Sequence, residues 1–253
     1  MLKAIIIACA TLALVSAAPQ RLEGRIVGGV DAKLGQFPHQ ISLRQSGSHI
    51  CGGSVISRDV ILTAAHCVSI QMENGTVVVT PASLLSIRAG TLDRFQGGML
   101  INVIDVVVHE EYSSFWNDVA LLKLERPLIY SSQLHAIPLA TVETPVDSEV
   151  IISGWGRLTW GGDVPRLMQW NTLSSISKAK CGLSIGVFKD HMLCLAHEMN
   201  NGACNGDSGG PAIFNGELVG IAGFVVGGCG SDKPDGYAKV FYHRDWIIKH
   251  ANL

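Results

Sequence analysis

The most informative stretch of this chain is Asn205-Gly206-Asp207-Ser208-Gly209-Gly210-Pro211. Its glycines permit a tight turn and the close approach of a substrate backbone. The backbone amides of Gly206 and Ser208 can then point at one oxygen and form an oxyanion hole. Because a serine hydroxyl is a weak nucleophile by itself, this stretch predicts a base elsewhere in the chain.

Two other segments supply the partners that such a serine needs. His66 lies in Thr63-Ala64-Ala65-His66-Cys67, and Asp118 begins the apolar run that continues to Leu122. Taken singly, His66 could be a core histidine and Asp118 a salt-bridge partner. An aspartate in an apolar strand is costly to bury without a hydrogen bond, which favours a paired role. The chain order His, Asp, Ser is one known arrangement of a catalytic triad, so the three motifs together predict nucleophilic catalysis by Ser208.

With Arg25-Ile26-Val27-Gly28-Gly29, these motifs resemble those of the chymotrypsin-like serine proteases, in particular the arthropod chymotrypsin, elastase and collagenolytic types. The resemblance runs from Ile26 to the C-terminus. It implies an all-β fold of two six-stranded antiparallel β-barrels with a C-terminal helix. The first barrel would span about 26–136, the second about 137–241 and the helix about 242–251. The active site would lie in the cleft between the barrels.

The resemblance also implies a role for each motif. Ser208 would attack the substrate carbonyl, His66 would transfer the proton, and Asp118 would orient the imidazole. Cleavage after Arg25 would free an ammonium at Ile26, which would pair with Asp207. Either charge buried alone would be strongly destabilising, so the two are expected to arrive together. The alternative is that Arg25 is an unremarkable residue of a flexible tail.

The N-terminal residues have the pattern of an export signal. Lys3 precedes an apolar run from Ala4 to Val15, and small residues follow. A transmembrane helix needs roughly 20 apolar residues, so this run fits a signal peptide better. We therefore expect a signal peptide over 1–17, an activation propeptide over 18–25 and a protease domain over 26–253. The predicted location is extracellular.

Charge and length limit the classes of partner. Residues 1–25 hold three of the 19 basic and one of the 21 acidic side chains, so residues 26–253 carry 16 basic and 20 acidic side chains. A net charge of −4 over these 228 residues is unlike the basic footprint of a nucleic-acid binder. We expect a monomer that acts on polypeptide substrates, is activated by another protease and is a target of protein protease inhibitors. No nucleic acid or membrane partner is expected.

The cysteines indicate disulfide bonds. Of seven cysteines, Cys9 lies in the predicted signal peptide, which leaves an even set in an exported chain. Six cysteines allow 15 connectivities, and spacing alone cannot choose among them. The family resemblance implies pairing in sequence order, namely Cys51–Cys67, Cys181–Cys194 and Cys204–Cys229.

Two segments have spacings that resemble metal or sugar attachment sites. His191-x-x-Cys194-x-x-His197 has a spacing that suits zinc, although an exported chain with paired cysteines favours disulfides. The segment 68–83 offers Glu73 alone as an acidic calcium ligand. We therefore expect no metal and no cofactor. Asn74-Gly75-Thr76 is a candidate glycosylation site.

Short runs rich in β-branched residues, separated by Gly, Pro, Asn or Ser, predict strands throughout the chain after Ile26. The predicted strands are Gln40–Leu43, Val60–Thr63, Leu84–Ala89, Leu100–Val108, Val119–Leu124, Val150–Ser153, Leu167–Leu173, Met192–Leu195, Pro211–Phe214, Leu218–Val226 and Tyr237–Phe241. One helix is predicted, over Tyr242–Ala251, where Trp246, Ile247 and His250 can share a face.

The substrate pocket is where the chain departs from well-known members of the family. The resemblance assigns to this pocket the residues Gly202, Ala203, Asn205, Gly223, Phe224, Val225 and Asp235. Gly202 stands where trypsin-like enzymes carry an aspartate, so cleavage after Lys or Arg is not expected.

Three further pocket positions bear on the substrate. Gly223 stands where a serine usually bonds towards Asp118, and Val225 should narrow the pocket as in elastase-like members. Some arthropod collagenolytic relatives pair a glycine at the pocket floor with an aspartate at the position of Asp235. Asp235 is alternatively a turn residue, because Pro234-Asp235-Gly236 is a strong turn signal.

The sequence thus predicts a secreted serine endopeptidase, made as a zymogen, with elastase- or chymotrypsin-like specificity. Two alternatives remain at this point. One is a catalytically silent protease homologue that acts as a binding module, although this chain retains all three triad residues. The other is a secreted zinc enzyme, which would need Cys194 to be free.

Overall fold

The computed structural model describes residues 26–114, 116–186 and 189–253. The predicted signal peptide, the predicted propeptide and Arg25 lie outside these residues. The described strands are β1 (Val30–Asp31), β2 (Gln40–Gln45), β3 (Ser48–Val55), β4 (Val60–Thr63), β5 (Ser69–Gln71), β6 (Val77–Val79), β7 (Leu85–Ala89), β8 (Met99–Val108), β9 (Ala120–Leu124), β10 (Glu149–Gly154), β11 (Gln169–Ser175), β12 (Met192–Ala196), β13 (Pro211–Phe214), β14 (Glu217–Phe224) and β15 (Asp235–Lys239). The helices are α1 (Lys178–Ile185) and α2 (Val240–Ala251).

The first barrel closes in the order β2-β3-β4-β9-β8-β7, with antiparallel neighbours throughout. Strand β7 alternates buried and partly exposed side chains, as expected for a strand with one face on a core. Strand β4 is buried along its whole length. Register shifts after Leu43 and after Val103 bend β2 and β8, which helps the sheet to curve into a barrel.

The second barrel is a ring of β11, β10, β13, β14, β15 and β12, closed by pairing between β12 and β11. Strand β1 pairs with β11, so the chain just after Ile26 joins the second sheet before it enters the first barrel. The fold is therefore all-β, with two six-stranded antiparallel barrels and a C-terminal helix, and the predicted fold class is confirmed.

The two barrels meet through close backbone contacts near the Ser208 segment. The backbone N–H of Gly52 in β3 donates to the carbonyl of Ser208 at 2.8 Å. A Cβ added to Gly52 would lie 2.8 Å from the Cα of Gly210, so glycine is needed at this contact. The hydroxyl of Ser153 also donates to Gln40 across the two barrels at 2.7 Å. These contacts place the Ser208 segment of the second barrel against the first barrel.

Two helical features differ from the sequence expectation. Helix α1 was not predicted; the hydroxyl of Ser177 caps its start by accepting from the N–H of Lys180, and Gly186 ends it at φ +77°. Helix α2 begins at Val240, so the predicted strand ending at Phe241 was too long. Val240 is fully buried in the core, and this tertiary contact outweighs the strand preference of a β-branched residue. No helix of the described residues has the length and hydropathy to cross a bilayer.

Candidate active site

Adjacent strands of the first barrel bring His66 and Asp118 together. His66 lies on a short 3-10 turn, Ala65–Cys67, just after β4, and Asp118 lies just before β9. Pairing of Thr63 with Ala120 sets the two segments side by side. The backbone N–H of His66 donates to Oδ1 of Asp118 at 2.9 Å, and Nδ1 of His66 lies 2.6 Å from Oδ2. Both carboxylate oxygens are thus engaged by one residue, which explains how Asp118 is buried next to the apolar strand β9.

This arrangement sets both the tautomer and the basicity of His66. Because Nδ1 faces a carboxylate, it carries the proton in the neutral ring and leaves Nε2 as the acceptor. Burial by itself would lower the pKa of His66. The hydrogen bond and the negative charge of Asp118 outweigh burial, so the pKa of His66 is raised above its ordinary value.

The Ser208 segment forms a tight loop with free amides. Gly206 and Gly209 adopt φ values of +103° and +75°, which glycine tolerates well. The N–H of Gly210 donates to the carbonyl of Asp207 at 2.9 Å and that of Gly209 to Ala222 at 2.7 Å. Within the part of the chain that the structure describes, the amides of Gly206 and Ser208 donate to no acceptor. They can therefore donate to an oxyanion.

Ser208 and His66 line one cavity of about 370 Å³. Within the described ranges no hydrogen bond joins the hydroxyl of Ser208 to His66. Such catalytic hydrogen bonds are often long without substrate and tighten in the complex. The cavity thus places a candidate nucleophile and a candidate base around one space.

The carboxylate of Asp207 points away from this cavity into the protein, and Asp207 is 3 % exposed. It accepts from the backbone N–H of Gly156 at 2.7 Å and of Cys204 at 3.0 Å. A Cβ on Gly156 would lie 2.1 Å from one of its oxygens, so glycine is required there. Burial raises the pKa of Asp207 to about 7, although the two backbone N–H groups act in the opposite direction.

The predicted pocket residues lie around the same cavity, with one exception. Ala203, Asn205, Gly223, Phe224, Val225 and Asp235 line it. Gly202 does not; it is buried beside the carboxylate of Asp235, which a Cβ at Gly202 would meet at 2.6 Å. The cavity is also lined by Trp160, Cys204, Ala222, Gly236 and Tyr237, which were not predicted as pocket residues. Trp160 lies in a different loop from the recognised motifs, so no local pattern marked it.

Asp235 is not a turn residue, which corrects one of its two sequence interpretations. It is the first residue of β15, pairs with Leu195 of β12, and is 2 % exposed. Its Oδ2 accepts from the backbone N–H of Ala203 at 2.7 Å, and its Oδ1 lies 3.3 Å from Nε2 of His197. Pairing with β12, rather than the local Pro-Asp-Gly pattern, determines its conformation.

Gly223 leaves space next to Asp118. A Cβ at this position would lie 3.7 Å from Oδ2 of Asp118, so a longer side chain there would reach the carboxylate. In this chain both hydrogen bonds to Asp118 among the described residues come from His66.

The cysteines form three disulfides, Cys51–Cys67, Cys181–Cys194 and Cys204–Cys229, which is the pairing in sequence order. Cys194 is therefore not a free thiolate for zinc, and His191 and His197 have other neighbours. The ring of His191 packs against Trp116 and Tyr242. Asn74 is exposed in the turn between β5 and β6, where its side chain accepts from the N–H of Thr76 at 3.0 Å.

Comparisons with a family model, with related sequences and with a solved structure all indicate the same family. The family model named Trypsin matches residues 26–247. Serine protease SP24D of Anopheles gambiae is 45 % identical over 88 % of this chain and 80 % of its own length. Trypsin alpha-4 of Lucilia cuprina is 35 % identical over 100 % of this chain and 99 % of its own. The structure of neuropsin, a serine protease expressed in the limbic system of mouse brain, superposes with a TM-score of 0.79 and 27 % identity, over 88 % of this chain and 98 % of that one. The chain belongs to the trypsin family, and it is a serine endopeptidase.

Proposed function

We propose that this protein is a secreted serine endopeptidase, made as a zymogen, that hydrolyses peptide bonds through an acyl-enzyme on Ser208. The observation that carries the proposal is the double contact of His66 with Asp118, at 2.9 and 2.6 Å, beside the cavity that Ser208 lines. This contact keeps Nε2 of His66 available as an acceptor, which is what a serine nucleophile needs from its base.

In the proposed reaction, Ser208 Oγ attacks the substrate carbonyl while its proton passes to Nε2 of His66. Asp118 stabilises the resulting imidazolium, and the amides of Gly206 and Ser208 donate to the oxyanion. His66 then gives the proton to the leaving amine, and the acyl-enzyme forms. Water repeats the sequence with His66 again as base, which releases the acid and restores Ser208.

Activation would follow cleavage between Arg25 and Ile26. Ile26 is fully buried, and Asp207 makes no salt bridge among the described residues. A new ammonium at Ile26 would supply the missing cation for Asp207, one residue from the nucleophile. The pairing would order the Gly206–Ser208 amides, so activity should require the cut.

The pocket favours uncharged side chains before the scissile bond. Val225 lines it, no side chain projects from Gly202, and the carboxylate of Asp235 is already bonded to Ala203. We therefore propose elastase- or chymotrypsin-like specificity, even though several relatives carry the name trypsin. Those names describe the relatives, whereas this chain has a glycine at position 202, where trypsin-like enzymes carry an aspartate.

The remaining parts of the proposal rest on the sequence. Residues 1–17 would direct export and residues 18–25 would be released on activation by another protease. The mature enzyme would be extracellular and monomeric, with polypeptide substrates and protein protease inhibitors as partners. Asn74 would be accessible to glycosylation.

The test measures peptide hydrolysis and covalent labelling of Ser208 in the protein cleaved after Arg25. We expect the unmutated enzyme to hydrolyse peptides and to react with a fluorophosphonate, and Ser208→Ala to lose both while keeping its fold. Ser132→Ala, which changes an exposed serine, is the matched control. Peptidase activity that persists in purified Ser208→Ala would refute the nucleophile, and a folded, cleaved protein with no turnover would favour the silent homologue.

A further inference from the structure

His197 is a buried ionisable residue that the proposed mechanism does not use. Its side chain is 1 % exposed, and that of Asp235 is 3 % exposed. Nε2 of His197 lies 3.3 Å from Oδ1 of Asp235, and Nδ1 lies 2.9 Å from the backbone carbonyl of Glu198. Nδ1 is thus hydrogen-bonded to a carbonyl, whereas Nε2 lies within ion-pair distance of a carboxylate without forming a hydrogen bond. Only the imidazolium form carries a proton on each nitrogen and can form the ion pair.

The electrostatic surroundings favour that charged form. Burial by itself would lower the pKa of His197, but the negative charge of Asp235 close to Nε2 and the carbonyl of Glu198 at Nδ1 raise it above its ordinary value. His197 also borders a second cavity, whose walls carry Asp147, Glu149 and Glu198.

The pair occupies a position that matters for substrate choice. Asp235 lines the substrate cavity, whereas His197 does not. Gly202 is what makes room for the pair, since a Cβ there would meet Oδ2 of Asp235 at 2.6 Å and Nε2 of His197 at 2.7 Å. Gly202 also adopts φ +108°, a conformation that side chains rarely allow.

A buried carboxylate needs a cation or several donors to stay charged. Asp207 and the hydroxyl of Tyr237 are the other ionisable groups that interact with Asp235, and neither supplies a positive charge. Among the described residues, His197 is the one side chain that can bring a positive charge to Asp235. A substrate Lys or Arg would have to compete with it.

We propose that His197 is a positioning residue for substrate specificity: it neutralises Asp235 from behind the pocket wall and so makes the pocket select uncharged rather than basic side chains. This inference rests on the proposed peptidase function. It assigns the selectivity to a histidine that touches no substrate, in addition to the bulk of Val225.

The test uses two peptide substrates that differ only in carrying Arg or Leu before the scissile bond. The unmutated enzyme should prefer Leu. His197→Leu should raise the Arg-to-Leu ratio of kcat/KM at least tenfold, mainly through a lower KM for the Arg peptide, because Asp235 becomes available to the guanidinium. The double variant His197→Leu/Asp235→Asn should return the ratio to its original value. His135→Leu, at an exposed histidine, is the matched control.

A purely structural role would lower kcat/KM for both peptides and leave their ratio unchanged. A folded His197→Leu enzyme whose ratio rises less than tenfold would overturn the proposal, as would an unmutated enzyme that prefers Arg. If His197→Leu does not fold, His197→Gln keeps a donor without the charge and should move the ratio in the same direction by the same criterion.

A binding measurement separates this inference from the peptidase proposal. In cleaved proteins that also carry Ser208→Ala, calorimetry with benzamidine, a small aromatic amidinium, needs no turnover. His197→Leu should tighten benzamidine binding at least tenfold. If His197→Leu binds benzamidine more tightly but the proteins that keep Ser208 show no peptidase activity, the role of His197 is upheld and the catalytic proposal is rejected. If His197→Leu leaves benzamidine binding unchanged, the role of His197 is rejected.

Discussion

Replacing Asp207 with asparagine should affect the uncleaved and the cleaved chain in opposite ways. In the uncleaved chain Asp207 is 3 % exposed and accepts two backbone hydrogen bonds, from Gly156 and Cys204. No salt bridge reaches it within the described residues. Burial, with a contribution from the negative charge of Asp235, raises its pKa from 3.8 to about 7.

The expected change in the free energy of unfolding follows from this pKa. Because the pKa in the fold is the higher one, the fold favours the protonated acid. The associated stability is complete below pH 3.8 and is lost as the pH rises through about 7. A pKa difference of about 3 corresponds to about 4 kcal/mol of unfolding free energy, at about 1.4 kcal/mol for each pKa unit. Asparagine has no charge to bury and should show no such loss.

Denaturant unfolding of the uncleaved chain from pH 4 to pH 8 measures this effect. Both proteins should carry Ser208→Ala, so that no autolysis occurs. The free energy of unfolding of the Asp207 protein should fall relative to Asp207→Asn by about 4 kcal/mol over this range. Asparagine leaves one backbone donor without an acceptor, which costs about 1–3 kcal/mol at every pH, so the slope rather than the offset is the readout. Asp147→Asn, at an exposed aspartate, is the control.

Cleavage after Arg25 should reverse the order of stability of the Asp207 protein and Asp207→Asn. Once an ammonium at Ile26 pairs with Asp207, removal of the carboxylate leaves a buried positive charge alone, and Asp207→Asn should then destabilise the protein by about 3–5 kcal/mol. It should also abolish activity in the Ser208 enzyme. Parallel pH curves for the two uncleaved proteins, or a cleaved Asp207→Asn enzyme with full activity, would refute the reasoning.

Two further predictions concern the triad and the pocket. Asp118→Asn should reduce kcat by about 10⁴-fold. Because Asp118 raises the pKa of His66, the substitution should also move the acid limb of the pH profile of kcat/KM to lower pH. An acid limb that does not move would contradict the pairing of His66 with Asp118. Val225→Gly should widen the pocket and raise kcat/KM after Phe, Leu or Tyr relative to Ala, measured on matched peptides, with Val142→Gly at an exposed site as control. An unchanged ratio would mean that Val225 does not limit the pocket.

The strands most fully predicted from sequence are those whose local preference agrees with their burial. Val60–Thr63 and Pro211–Phe214 were predicted with the bounds that the structure gives them, because β-branched and apolar residues lie there between clear breaks. Strand β3 was missed, since its centre contains Gly52 and Gly53, which have low strand preference. Close contact with Gly210 and with Ile41 and Ile61 requires glycine at these positions.

Helix α1 could not be predicted from the spacing of its apolar residues. Only Cys181 of its eight residues is buried, so it has no apolar stripe to recognise. Its end signals, Ser177 and Gly186, were present in the sequence but are weak without that stripe. The start of α2 was misplaced for the opposite reason, because burial of Val240 in the core overrode its local preference for a strand.

The sequence by itself determined the family, the all-β class and the candidate triad, because these depend on residue types in short motifs that only a few structures can use. Tertiary structure alone decided the environment of the pocket. His197 and Asp235 are 38 positions apart, and pairing of β12 with β15 brings their ends together next to Gly202. The charge state of a buried carboxylate depends on such neighbours, which no local pattern specifies.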